Sequence, residues 1–145
     1  MSVIGYRHTG IVVDDMELQL KFYRDLLNLD VYYDQYEDGL WLSQILPMEK
    51  DQYARIVKLG KRDTLMVELL NFKEWTYREM TVKAYNEVGL THVAFQVDDV
   101  YRMYETMKEQ GVSFVHPPAT SPNKSAKVCF CYDFEGNLVE LVQLL

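Results

Sequence analysis

Two histidines and two glutamates recur at matching places along this chain, and those residue types together could hold a metal ion. His8 opens the stretch HTGIVVDD and His92 opens HVAFQVDD, each standing six residues before the first Asp of an acid pair. Further along, Val67-Glu68-Leu69 is repeated as Val139-Glu140-Leu141, each inside an apolar run. A carboxylate in the middle of an apolar strand is costly unless it has a partner. A lone strand His is more often a core or surface residue than a ligand. Two His and two Glu at equivalent places call for one explanation. Imidazole nitrogen with carboxylate oxygen suits a divalent first-row metal, and four such groups leave open positions on a six-coordinate ion.

The elements that must position these groups also come twice, as expected of two copies of one module. In the first copy, Ile4–Val13 reads as a strand and Asp14 or Asp15 as a helix N-cap. Met16, Leu18, Leu20, Phe22, Tyr23, Leu26 and Leu27 lay an apolar stripe on a helix of about three turns that Asn28 ends. Leu29–Tyr36 alternates as a second strand, Glu37-Asp38-Gly39 turns the chain, and Leu40–Leu46 suits a short helix stopped by Pro47. Tyr53–Gly60 and Thr64–Asn71 form a hairpin across Lys61-Arg62-Asp63.

The second copy predicts a strand over Thr91–Val97, a helix over Asp98–Gln110 stopped by Gly111, and a short strand over Val112–His116. Pro117 to Lys124 reads as a loop, followed by strands Ala126–Tyr132 and Leu138–Leu144 around a turn at Gly136. Each half is therefore β-α-β-β-β. The expected layout is one domain over 1–145, with module one at 1–72, a linker at 73–89 and module two at 90–145.

Composition narrows the partners. The chain has 145 residues, 48 % of them hydrophobic and 26 % charged, which is enough for a sizeable core. A net charge of −7 disfavours nucleic acid and anionic membrane surfaces, both of which need a basic patch. MSVIGYRH lacks the apolar stretch of a secretion signal, and no run is long and apolar enough to span a membrane. The cysteines, Cys129 and Cys131, would share one face of a strand, too close in sequence for a disulfide and too few for a zinc site. They read as reduced, half-buried thiols in a cytoplasmic protein.

Four stretches, RHTGIVVDDMELQLKFYRDLLNL, TLMVELLN, LTHVAFQVDDV and YDFEGNLVELVQ, in this order and spacing, resemble the vicinal oxygen chelate superfamily. That superfamily includes glyoxalase I, methylmalonyl-CoA epimerase, extradiol dioxygenases, and fosfomycin and bleomycin resistance proteins. The resemblance covers essentially the whole chain. It implies an α+β fold in which two βαβββ modules form a curved mixed sheet around a metal cleft. It also implies one divalent ion per site (nickel, cobalt, zinc, manganese or iron) on His8, Glu68, His92 and Glu140. Working units of this type are usually homodimers.

Within the superfamily, dioxygenases and fosfomycin-resistance enzymes use two His and one Glu and leave the position matching Glu68 without a ligand. Glyoxalase I and the epimerases fill it. Glu68 therefore points to a metal-dependent lyase or isomerase that moves a proton on a carbon next to a carbonyl, through an enediolate. The substrate would be a small molecule with adjacent oxygens. Glu140 is the expected base by resemblance to glyoxalase I, with Glu68 as the other catalytic carboxylate. The alternatives are a ring-cleaving extradiol-type dioxygenase, a non-catalytic module that sequesters a small molecule, or His and Glu residues with a purely structural role. Two glutathione anchors of bacterial glyoxalase I are not matched: Val12 stands where it has Arg, and Phe72 where it has Asn, although Asn71 is adjacent.

Other residues tempt less. Glu49 and Asp51 read as a solvated loop, and His116 as a surface residue. The 11 tyrosines with Trp41 and Trp75 could line an organic pocket, but strand aromatics are mostly core. Asp14-Asp15 and Asp98-Asp99 read as helix caps.

Overall fold

The structure, a computed structural model, describes residues 1–47, 53–73 and 84–145. The chain divides into two compact units, Met1–Arg78 and Glu79–Leu145, and each builds a four-stranded mixed sheet. The sequence-derived elements recur in order within both. Glu49, Asp51 and Trp75 lie outside the described residues, as does most of the expected linker.

In the first unit, β1 (Thr9–Val12) runs parallel to β4 (Thr64–Phe72), and β3 (Ala54–Lys61) and β2 (Asp30–Glu37) follow antiparallel, giving the order β1-β4-β3-β2. Alternation sorts the side chains onto two faces. Val57, Leu59, Val67 and Leu69 are fully buried on the face that receives α1 (Met16–Leu20). Asp15 caps that helix, its carboxylate accepting from Leu18 N at 2.9 Å. The opposite face takes α2 (Gly39–Ile45), whose Leu42 packs on Ala54, Ile56 and Phe72. Asp38 caps α2 and Pro47 follows its end, as the sequence suggests.

Beyond Leu20 the first helix widens into a π-helical turn over Lys21–Leu26, with Leu27 N donating to Phe22 O at 3.0 Å. The sequence stripe predicts an ordinary α-helix there. The wider turn accompanies the burial of two consecutive aromatics, Phe22 and Tyr23, packed edge to face at 5.0 Å. Asn28 then takes a left-handed conformation, φ 54°, and ends the helix.

The hairpin turns on Arg62 and Asp63, both at positive φ, the geometry that matches strand twist in a two-residue loop. Tyr32 Oη accepts from Asp63 N at 3.0 Å and steadies the turn. Arg55 on β3 donates to both oxygens of Asp34 on the edge strand β2 and to Glu17 of α1 at 2.6 to 2.8 Å. That guanidinium holds the Asp34 carboxyl below the usual carboxylate range.

In the second unit, β5 (Val93–Gln96) runs parallel to β8 (Leu138–Leu144), followed by β7 (Ala126–Tyr132) and β6 (Ala119–Thr120). α3 (Val100–Glu109) covers one face through Val100, Tyr104 and Met107, opposite Cys129, Cys131, Val139 and Leu141. Asp99 caps it, accepting from Arg102 N at 3.0 Å, and Gly111 leaves it at φ +88°, where an L side chain is strained.

Three expectations need correction. The strands Ile4–Val13 and Thr91–Val97 are shorter, Thr9–Val12 and Val93–Gln96, so each His stands one residue before its strand. Val112–His116 is not a strand. It makes one bridge, Phe114 to Cys131, and the fourth strand instead lies within the expected loop, at Ala119–Thr120. Pro117 and Pro118 have no N–H to donate, so pairing with β7 lapses at them and resumes beyond. The thiols are fully buried rather than half-buried. Among the described residues, no helix is long and apolar enough to cross a membrane.

Two outcomes follow from buried groups. Gln19 on α1 is fully buried, and neither atom of its amide has a hydrogen-bond partner among the described residues. Met103 occupies the matching place on α3. Gln19→Met should therefore raise stability by about 1 kcal/mol or more, read as a higher denaturation midpoint. Burial pushes the Cys129 thiol up to about 11 and Cys131 to about 12, from 9.0. Native protein at pH 8 should resist alkylation by iodoacetamide until unfolded. Stability linked to these thiols is whole below pH 9 and is lost as the pH climbs through 11 and 12.

Candidate metal centre

Each unit brings together one imidazole and one carboxylate, and it does so through the same strand register. In the first, Gly10 pairs with Glu68 across the parallel strands β1 and β4. In the second, Ala94 pairs with Glu140 across β5 and β8. Each His stands two residues before the Gly or Ala, hence on the same face as the Glu. The contacts match. His8 Nε2 lies 3.0 Å from Glu68 Oε2, and His92 Nε2 lies 3.2 Å from Glu140 Oε2. The side chains are half-buried, 15 % exposed at Glu68 and 20 % at Glu140, so both carboxylates have the partner their apolar strands require and stay reachable.

The surroundings differ. Across β3, Lys58 is the register partner of Glu68, and its Nζ lies 3.3 Å from Glu68 Oε1 and 5.0 Å from the Tyr33 ring centroid. The residue opposite Glu140 is Phe130, which meets His92 edge to face at 5.3 Å. His92 Nδ1 lies 2.9 Å from the Thr91 hydroxyl, which orients the ring and leaves Nε2 toward the carboxylate. Arg7 precedes His8 and offers no hydroxyl, and His8 Nδ1 is buried without a partner among the described residues. Module two adds a pair of phenols on the face of Glu140: Tyr132 Oη lies 3.1 Å from Tyr85 Oη. That hydrogen bond holds the Tyr132 phenol above its ordinary range. Composition hinted at such tyrosines only as a count.

Within each unit an imidazole turns its Nε2 toward a carboxylate rather than into the core, and these are donor types that first-row metals accept. Among the described residues, no three His, Cys, Asp or Glu side chains form one metal-sized cluster. Each unit by itself supplies two donors.

The remaining residues resolve plainly. Asp15 and Asp99, the second acid of each pair, are caps. His116 is exposed, its Nδ1 2.7 Å from Pro117 O. Asn71 is engaged in the fold: its amide nitrogen donates to Val13 O and Asp14 O, both at 2.9 Å, tying β4 to the start of α1. Phe72 is buried under α2, and Val12 is exposed on the face of His8. Trp41 is about half exposed on α2.

Residues 5–141 match the model of the Glyoxalase/Bleomycin resistance protein/Dioxygenase superfamily, and the chain belongs to that superfamily. The uncharacterised protein YurT of Bacillus subtilis is 28 % identical over 137 residues, 93 % of this chain and 95 % of that one. A probable lactoylglutathione lyase of Synechocystis is 23 % identical over 137 residues, 94 % and 92 % of the two chains. Among solved structures, a glyoxalase family protein from Bacillus cereus superposes with a TM-score of 0.89 at 21 % identity, over 100 % of this chain and 97 % of that one. The α+β fold of two βαβββ modules is thus the fold of this superfamily.

Asp15→Ala and Asp99→Ala should each cost about 1 kcal/mol in a denaturant titration, the loss of one helix cap. Neither should disturb the His–Glu contact of its own module.

Proposed function

We propose that the chain is a divalent-metal-dependent lyase or isomerase of the glyoxalase or epimerase type. It acts on a small molecule with adjacent oxygens and moves a proton on the carbon next to a carbonyl. One observation carries this reading: the same His–Glu contact is built twice, in the same register, on half-buried faces. The relative in Synechocystis whose name is probable lactoylglutathione lyase supports it.

His8, Glu68, His92 and Glu140 would hold the ion. When bound, it supplies Lewis acidity toward the two substrate oxygens, making the neighbouring carbon acidic enough for a carboxylate to deprotonate. His8 and His92 serve as ligands only. Glu140 takes the proton and returns it to another carbon or face. Its environment supports that role over Glu68: among the described residues His92 is its one ionic partner, whereas Glu68 is shared between His8 and Lys58. The glutathione anchors are absent at Val12 and Phe72, and Asn71 is committed to the β1–α1 connection. A hemithioacetal of another thiol, or a thioester, suits the site as well as a glutathione adduct.

Metal analysis of protein purified without chelators should find a divalent ion that His92→Ala loses. Glu140→Gln should keep the ion and lose turnover by about 10²-fold or more, the weight of a positioned base. Turnover is best followed as deuterium exchange from solvent into hemithioacetal and thioester substrates. Full exchange by Glu140→Gln would sink the base assignment. Oxygen consumption with a catechol would favour the ring-cleaving alternative.

A further inference from the structure

Lys58 is not explained by the ligand set and has no counterpart in the second module. The cross-strand row in module one reads Gly10, Glu68, Lys58, Tyr33, and in module two it reads Ala94, Glu140, Phe130. At the one position where the modules could match, one has an ammonium and the other an aromatic ring.

The geometry assigns the Glu68 oxygens separately. Oε2 faces His8 Nε2 at 3.0 Å, and Oε1 faces Lys58 Nζ at 3.3 Å. The ammonium is half-buried, 28 % exposed, and the Tyr33 ring lies 5.0 Å away on its other side, with the Tyr33 hydroxyl donating to Glu37. A cation between a carboxylate and an aromatic face has two favourable positions a short swing apart. It can leave Glu68 without being stranded.

We propose that Lys58 is a built-in competitor for the metal: its ammonium occupies Glu68 when no ion is bound, and an incoming divalent cation must displace it toward Tyr33. This rests on the metal-ligand reading of Glu68. A tethered cation acts at high local concentration, and after displacement it still repels an ion on the same carboxylate. Lys58 thus weakens metal affinity and keeps the empty site neutralised.

The test measures zinc or manganese affinity of the full chain, stripped with chelator and titrated in a calorimeter with the metal salt alone. Lys58→Met should tighten the dissociation constant by about tenfold. Lys58→Phe, which copies Phe130, should do the same, while Lys58→Arg keeps the wild-type value. Melting curves of the stripped proteins check that each variant folds. Unchanged or weaker affinity in both neutral variants overturns the inference, as does equal tightening by the Arg variant, which would make the effect one of packing. If neither wild type nor the neutral variants bind a divalent ion, the metal reading itself fails. Binding with equal affinity in all four proteins overturns only the role of Lys58.

Discussion

Everything chemical in this chain depends on one constraint, the register of two parallel strand pairs. β1 against β4 and β5 against β8 are aligned so that the residue two beyond each His faces a Glu on the neighbouring strand. A slip of one residue would turn the whole strand over and send either partner to the helix face. On that face Val67 and Leu69, or Val139 and Leu141, are fully buried under a helix. The hydrophobic layer thus locks the polar one. The apolar residues flanking each Glu cannot leave the helix face, so the Glu cannot leave the other.

The two modules use that common frame differently. Thr91 orients His92 and Phe130 packs on its ring, so the second pair is braced on its imidazole side. The first pair is braced on its carboxylate side by Lys58, while its His Nδ1 has no partner among the described residues. α2 packs on the face that carries Glu68 and has no equivalent among the described residues of module two. The repeat conserves the donors and varies what surrounds them, which suits one carboxylate to anchoring and another to proton transfer.

The repeat and the βαβββ order of each half were legible in the sequence because they rest on periodicity and spacing, and the fold class followed from the family resemblance. Alternation fixed which strand residues share a face, and the doubled VEL tripeptide marked the strand carrying each Glu. What escaped depends on pairing across strands. Lys58 reads as one more surface lysine until the hairpin register sets it opposite Glu68. The bridge at Phe114 and the short strand at Ala119–Thr120 were hidden by prolines that read as a loop. Strand ends were overextended at Ile4 and Thr91, because apolar alternation continues past the last paired residue. The π-turn at Lys21–Leu26 has no local signal beyond two adjacent aromatics.

Gly60 and Met66 decide which side chain borders the first carboxylate. The β3–β4 register shifts by one residue between Leu59 and Gly60, which leaves Met66 without a β3 partner, and a Cβ at position 60 would sit 1.9 Å from Thr64 O. The Arg62-Asp63 turn dictates pairing from its own end. Carried on without the shift, that pairing would set Val57 rather than Lys58 opposite Glu68. The bulge restores the phase in which an ammonium, and not a core valine, lies beside the carboxylate. The hairpin can therefore close tightly at its tip without dictating the chemistry of the row a few residues further on.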